Sequence, residues 1–123
     1  SAAQAAESQK EIQREKIKSE KDIEQYRFCC IRDRKIYKAK LGEDADGITQ
    51  DDYYKDCPVL VRYFGFSQIK CGAEIATGDF LASDADGCAI KAIENQIVLG
   101  KALEKGTKGQ IIEVYIQKNI KGK

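Results

Sequence analysis

Two acidic tetrapeptides have the residue types of a calcium-binding loop. Asp-Ala-Asp-Gly occurs at residues 44–47 and again at residues 84–87. Calcium prefers clustered carboxylate oxygens, and an EF-hand loop has a glycine at its sixth position and a bidentate acid at its twelfth. In that register the twelfth position is Tyr53 in the first loop and Ile93 in the second. Because the bidentate acid is absent from both, we predict two turns and no metal site.

The five cysteines, at positions 29, 30, 57, 71 and 88, are the other candidates for metal or redox chemistry. No Cys-x-x-Cys pair occurs and the chain has no histidine, so the usual zinc-ligand spacings are missing. No secretory signal or transmembrane run is evident either, and we expect a reducing cytosol, where disulfides are rare. The sequence therefore predicts buried thiols that pack as small hydrophobic side chains.

Catalytic and phosphate-binding patterns are also missing. The absence of histidine removes the commonest general base, and no serine lies in a nucleophile-elbow pattern. Gly100-Lys101 lacks both the upstream glycine and the following Ser or Thr of a P-loop. We predict a protein that is not an enzyme and that needs no cofactor.

The charge distribution does not favour nucleic acid or membrane as a partner. The formal net charge is only +1, divided into +4 for residues 1–40, −5 for residues 41–58 and +2 for the remainder. Such local alternation suits a protein surface of mixed charge better than a phosphate backbone. The aromatic residues predict core and interface packing rather than a base-stacking platform, since few cations lie between them: Tyr53, Tyr54, Tyr63, Phe64 and Phe66.

Short apolar runs separated by turn residues dominate the chain after position 58. Val59–Phe64 predicts the first core strand, with a bend at Gly65. Phe80–Ala82 and Cys88–Ile90 flank an Asp-Gly pair, which is a strong hairpin signal because glycine adopts positive φ without a Cβ clash. Two further β-branched runs predict strands at Ile97–Leu99 and Ile111–Ile116.

The order of these segments resembles a known family, the small decoration, or cement, proteins of tailed-phage heads. The resemblance covers about the last 55 residues. It rests on an ordered series: Gly72–Ile75, Gly78–Leu81, Ser83–Gly87, Ala89–Ala92, Val98–Leu103 and Gln110–Ile116. Within the series we assign turn or structural roles to Gly78, Asp79, Asp86, Gly87, Gly100 and Gly109.

Residues 1–40 have the composition of a helix, because they lack Gly and Pro and are dense in Gln, Glu, Lys and Ala. On a helix, Ile12, Ile23 and Tyr26 lie along one thin apolar stripe. We predict a helical arm that lies in a groove of a partner with these three residues as anchors. A solvated, partly frayed helix and a nucleic-acid-binding arm remain alternatives, although acids in every turn count against the latter. From Phe28 to Leu41 the pattern does not distinguish helix from strand.

The predicted fold is therefore mainly β, a small antiparallel barrel-like or sandwich-like domain with an N-terminal α-helical arm. The predicted parts are the arm (1–40), an acidic connection with a short helix (41–58), the β domain (59–117) and a basic tail (118–123). The short helix is predicted from the capping-box spacing of Thr49 and Asp52. A β core of about 65 residues buries little surface, so an oligomer or partner should support it.

The family resemblance implies a viral structural protein, made in the host cytoplasm and located on the outer capsid surface of the virion. Its implied partners are the major capsid protein and neighbouring decoration subunits, with which it would form a trimer, and neither nucleic acid nor a membrane is among them. The alternative is a cytosolic adaptor or regulatory module whose N-terminal helix forms a coiled coil with a partner. For a decoration protein with such an arm, removal of residues 1–40 should leave the β domain folded but weaken capsid attachment.

Overall fold

The structure, a computed structural model, describes the backbone of residues 10–118 and the side chains of residues 17–118. This part of the chain contains nine strands and no helix. The strands are β1 (Lys10–Ser19), β2 (Phe28–Arg32), β3 (Lys35–Lys38), β4 (Gly47–Thr49), β5 (Pro58–Lys70), β6 (Phe80–Ser83), β7 (Ala89–Lys91), β8 (Gly100–Ala102) and β9 (Ile111–Ile116).

Five of these strands close into a barrel. β1 pairs with both β3 and β5, and β2 and β4 complete the circle through the order β1-β3-β2-β4-β5. The β1–β3 pair is parallel and the other pairs are antiparallel. We call the buried interior of this barrel the barrel core, and it consists of Ile17, Ile23, Cys29, Ile36, Tyr53, Val59 and Val61.

The long strand β5 continues from the barrel into a second sheet of order β5-β9-β8-β6-β7. Residues up to Phe64 pair with β1, whereas Gly65 pairs with Ile116 of β9. Gly65 has φ +95°, so the predicted bend lies at the transition and uses a conformation that suits glycine. A parallel bridge between Cys71 and Ala89 connects the two ends of the second sheet.

A single hydrophobic cluster, here the shared core, joins the barrel to the second sheet. The shared core can include side chains from the barrel because β2 buries side chains on both of its faces. Cys29 belongs to the barrel core, whereas its neighbours Phe28 and Cys30 belong to the shared core. The shared core consists of Phe28, Cys30, Ala39, Ala45, Ile48, Ile69, Cys71, Ile75, Leu81, Ala89, Leu99, Ala102, Ile112, Val114 and Ile116.

The prediction of an N-terminal helical arm is wrong for residues 10–40, which contain β1, β2 and β3 and no helix. Residues 1–9 lie outside the described part of the chain. A helix there would expose most of the few apolar side chains, whereas the barrel buries Ile17, Ile23 and Ile36 together. β2 and β3 are joined by a two-residue turn in which Asp33 and Arg34 have φ values of +52° and +63°. Tertiary burial thus outweighs helix propensity.

The short helix predicted within residues 41–58 is also wrong, because β4 occupies its predicted start. The Thr49 hydroxyl donates a hydrogen bond to Glu24 O at 2.7 Å and accepts one from Arg27 N at 3.0 Å. Asp52 Oδ1 accepts a hydrogen bond from Gln25 N at 2.9 Å. The two side chains with capping-box spacing therefore bond a distant segment rather than a helix terminus.

The mainly β prediction is confirmed. β6 and β7 form the predicted antiparallel hairpin, and β9 has the predicted bounds. The strand predicted at Ile97–Leu99 instead begins at Gly100, and the closed barrel lies largely N-terminal to the region predicted to form it. The prediction that the chain divides into separable parts at residues 40/41 and 58/59 stays a prediction. In the structure, backbone pairing connects all nine strands in the order β1-β3-β2-β4-β5-β9-β8-β6-β7.

One side chain completes the hydrogen bonding of the barrel. The Tyr53 hydroxyl accepts a hydrogen bond from Leu60 N at 2.8 Å and donates one to Leu60 O at 2.9 Å. We expect Tyr53→Phe to lower the free energy of unfolding by about 1–3 kcal/mol, because the Leu60 N–H loses its acceptor. Urea denaturation measures the loss.

The adjacent tyrosine supplies a matched control for this prediction. Tyr54 is 71% exposed, so Tyr54→Phe should leave the free energy of unfolding unchanged. Burial raises the pKa of Tyr53, so its contribution is complete below the pKa of the unfolded chain and declines as the pH rises above about 10. Equal effects of the two substitutions would contradict a structural role for the buried hydroxyl.

Candidate interaction surfaces

Two exposed aliphatic side chains lie on neighbouring tight turns, which we call the loop pair (residues 40–43 and 93–96). Leu41 is 64% exposed and Ile93 is 68% exposed. The turns are adjacent, since a Cβ added to Gly42 would lie 3.7 Å from Gln96 Nε2. Isolated exposed aliphatic residues are ordinary, and these two are singled out because they lie on neighbouring turns.

The loop pair is held by local hydrogen bonds. Gly42 N donates to Ser83 O at 2.8 Å, and Glu43 N donates to Lys40 O at 3.0 Å. In the second turn, Gln96 N donates to Ile93 O at 3.0 Å, and Gln96 Oε1 accepts from Ile93 N at 2.9 Å. Both aliphatic side chains are therefore presented by ordered turns, which reduces the entropy lost on binding.

A separate open pocket of about 180 Å³ lies where the 23–27 segment meets β5 and β9; we call it the polar pocket. Its lining combines two aromatic rings with amide, hydroxyl, guanidinium and carboxylate groups: Tyr26, Gln50, Arg62, Phe66, Ser67, Gln68 and Glu113. Phe66 is 47% exposed, and its ring packs edge-on against Tyr115 at 5.1 Å between centroids. This outward face of the β5–β9 pair therefore carries an exposed aromatic rim.

The three predicted partner-binding anchors lie in different environments. Ile12 is on β1, and its side chain lies outside the described residues. Ile23 is only 4% exposed and belongs to the barrel core, so this fold does not offer it on its surface. Tyr26 is half-buried and lines the polar pocket. The partner-binding role of all three stays a prediction.

The predicted turn at Asp86 and Gly87 fastens the second sheet to the barrel. Lys38 Nζ lies 2.9 Å from both Asp86 Oδ1 and Glu24 Oε1, and its hydrogen bond lowers the pKa of Glu24. Gly87 has φ +74° and its carbonyl accepts a hydrogen bond from Phe28 N at 2.7 Å. This turn is a contact between the two halves of the molecule.

The other predicted turn residues make local contacts in the second sheet. Gly78 and Gly109 have φ values of +90° and +92°, in the region that favours glycine. Asp79 Oδ2 accepts a hydrogen bond from Ala76 N at 2.8 Å. Gly100 allows close strand approach, since an added Cβ would lie 2.6 Å from Tyr115 O. Their role beyond the turns stays a prediction.

The acidic tetrapeptides bond backbone amides. Asp46 Oδ2 accepts from Ile31 N at 2.7 Å, and Asp84 Oδ1 accepts from the N atoms of Asp86 and Cys88, each at 2.8 Å. Among the described residues, no group of three or more potential metal-ligating side chains is placed to hold an ion. The second tetrapeptide forms the turn between β6 and β7, as predicted. The turn predicted at residues 44–47 is wrong, because residues 44–46 lie outside any turn and Gly47 begins β4.

Four of the five cysteines are buried free thiols, as predicted, and Cys57 is half-buried. Burial raises the pKa of Cys30 to about 12 and also raises the pKa of Cys29, Cys71 and Cys88. A raised pKa keeps a thiol protonated and unreactive near neutral pH. These side chains serve as small core residues.

The loop pair and the polar pocket were not predicted from the sequence. The sequence gives only a weak indication that Leu41 and Ile93 are exposed: Leu41 lies between Lys40 and Gly42, and Ile93 precedes the polar residues Glu94, Asn95 and Gln96. The pocket has no local signal, because Tyr26 and Glu113 are far apart in the chain. No described residue belongs to a helix long and apolar enough to cross a membrane.

The barrel and second sheet together form a fold that this chain shares with a bacteriophage head fiber base. One solved structure that shares it is the crystal structure of the head fiber gp8.5 N base in bacteriophage phi29. The two chains are 22% identical with a TM-score of 0.73, and the similarity covers 89% of this chain and 94% of that chain. No protein-family model and no curated protein matches the sequence. The resemblance to phage-head proteins is thus confirmed at the level of fold.

Proposed function

We propose that this chain is a structural protein of a phage head that binds the outer capsid surface and stabilises the major-capsid lattice as a decoration protein. The observation that carries the proposal is the fold shared with a phage head fiber base over 89% of the chain. The sequence resemblance to decoration proteins in the last 55 or so residues supports the same conclusion independently. The protein would be made in the host cytoplasm and reside on the virion.

The proposed mechanism is adhesion without a chemical step. A protein that binds the assembled lattice more tightly than free capsid subunits stabilises the lattice by mass action. A subunit that touches more than one neighbour also gains from high effective concentration once the first contact forms. Contacts with neighbouring decoration subunits, as in a trimer, would extend the same effect.

The loop pair is the surface that we assign to the capsid contact. Leu41 and Ile93 are the two most exposed large aliphatic side chains among the described residues, and their turns are held by hydrogen bonds. Apolar side chains at the centre of an interface contribute most when their burial excludes water. The partner in this proposal is the major capsid protein.

The adaptor alternative loses its main support. It required residues 1–40 to form a coiled-coil helix, and residues 10–38 include β1, β2 and β3. No specific observation in the described residues favours it.

The proposal predicts that Leu41→Asp combined with Ile93→Asp weakens capsid binding at least about tenfold, because the contact would bury charge at its centre. Co-sedimentation of the purified chain with heads of its own phage, depleted of the protein, measures the affinity. Tyr54→Asp is the matched control, since it adds charge at an exposed site on a different turn.

Two results would contradict parts of this proposal separately. Failure of the unsubstituted chain to co-sediment with depleted heads would reject the capsid function itself. Normal binding by the doubly substituted chain would retain the function and reject the loop pair as the contact. Circular dichroism confirms that each variant is folded before the comparison is made.

A further inference from the structure

The polar pocket contains hydrogen-bonding groups that have no partner among residues 17–118. No described residue makes a hydrogen bond to the Tyr26 hydroxyl, the Gln68 side-chain amide or the Glu113 carboxylate. Gln68 and Glu113 are directly paired across β5 and β9, so their side chains lie side by side on the outward face. Together these groups offer both donors and acceptors to a ligand.

The charge of the pocket favours a neutral ligand. Its charged lining residues are one cation, Arg62, and one anion, Glu113. A phosphate site would be expected to present several cations or a cradle of backbone amides, and a cation site several carboxylates. An entirely apolar ligand is disfavoured because five of the seven lining side chains are polar or charged.

Two aromatic rings provide the apolar part of the surface. Phe66 is 47% exposed and packs edge-on against Tyr115, its partner on β9, which also contacts Phe64 at 5.8 Å between ring centroids. The other ring is Tyr26, which is half-buried against the shared core. Aromatic faces beside planar hydrogen-bonding groups match a molecule that has both C–H faces and hydroxyl edges.

The pocket is formed by constrained residues. Tyr26 has φ +61°, an unfavourable conformation for an aromatic residue, and is held by hydrogen bonds from its N to Thr49 O and from Lys70 N to its O. Gln50 Nε2 is fixed by Ile48 O at 3.0 Å and Ser67 Oγ at 3.1 Å. A lining that is ordered before binding loses little entropy when a ligand enters.

We propose that the polar pocket is a carbohydrate-binding site. One sugar residue contacts the rings of Tyr26 and Phe66 with its C–H faces, and its hydroxyls hydrogen-bond to Gln68 and Glu113. This site is distinct from the loop pair, and it does not depend on capsid attachment. A subunit attached through the loop pair would carry a sugar-binding site that is separate from its contact with the capsid.

The test is an NMR titration of the full-length ¹⁵N-labelled chain with glucose, galactose, N-acetylglucosamine and the tetramer of N-acetylglucosamine. We expect at least one of these sugars to cause saturable shifts of the Tyr26, Phe66 and Gln68 amides, with millimolar affinity for a single residue. Tighter binding of the tetramer than of the monomer would extend the site to a polysaccharide. Inorganic phosphate and free arginine serve as anionic and cationic probes and should cause no saturable shift at these amides.

Substitutions then separate binding from folding. Phe66→Ala and Gln68→Ala alter exposed or half-exposed positions outside the two cores and should weaken sugar binding by about tenfold or more. Tyr54→Ala is the matched control, because it removes an equally accessible aromatic ring from a different turn. The proposal is overturned if none of the four sugars gives saturable shifts, if phosphate or arginine binds there instead, or if Tyr54→Ala weakens binding as much as Phe66→Ala.

Discussion

Deletion of residues 1–40 is expected to unfold the remaining chain rather than release a stable β domain. The deleted segment contains β1, β2 and β3, three of the five barrel strands. It also removes Phe28, Cys30 and Ala39 from the shared core. The remaining strands would expose apolar surface on one face and unpaired backbone groups along β5, and a core so reduced would not offset the entropy of folding.

Circular dichroism and chemical denaturation of residues 41–123 test this prediction. We expect no cooperative unfolding transition and a protein that aggregates or is digested rapidly by protease. A soluble fragment with a cooperative transition close to that of the full chain would contradict the shared core. It would instead support the separable arm that the sequence predicts.

Phe28→Ala should destabilise the chain severely although it changes a single side chain. Phe28 is 2% exposed and lies in the shared core even though it belongs to the barrel strand β2. Truncation of a fully buried phenylalanine removes the stabilisation that the buried ring provides and leaves a cavity, at a cost of about 3–5 kcal/mol. Urea titrations measure this loss as a change in the free energy of unfolding. The dependence of that free energy on urea concentration should have the same slope in both chains.

Phe66→Ala is the matched control for this substitution. Phe66 is 47% exposed on the outward face of β5, so its truncation should cost no more than about 1 kcal/mol. If Phe28→Ala and Phe66→Ala destabilised the chain equally, the N-terminal strand β2 would not contribute to a core that both halves share. Loss of sugar binding in Phe66→Ala with nearly normal stability would separate the pocket from the fold.

The C-terminal half could be predicted because its signals are local. Strand β9 alternates between buried and exposed side chains except at its half-buried Tyr115, and the β6–β7 hairpin turns at an Asp-Gly pair. Gly65 has positive φ and marks the point where β5 changes its pairing partner from β1 to β9. In these segments the strand period and the turn residues predict the same structure, so a short window of sequence is sufficient.

The N-terminal half could not be predicted in the same way. β2 buries both faces, so the apolar run Phe28–Ile31 has no period of two that would reveal a strand. The turn after it uses Asp33 and Arg34 at positive φ instead of a glycine. Helix-forming composition is the remaining signal, and it is weak against tertiary burial.

The interaction surfaces depend on contacts between distant parts of the chain. Tyr26 reaches the polar pocket because its backbone bonds Thr49 and Lys70, and Gln68 meets Glu113 through the β5–β9 register. The sequence predicts Tyr26 as a partner-binding residue, but that prediction rests on the position of Tyr26 on a helix that does not form. Pairing of this kind follows from topology rather than from local spacing.

Cryo-electron microscopy of depleted phage heads incubated with the purified chain tests the proposed capsid function most directly. We expect added density on the outer capsid surface, shaped as the barrel with its attached second sheet, with the loop pair against the major capsid protein. Heads that remain bare at saturating concentrations of the folded chain would contradict the proposed function.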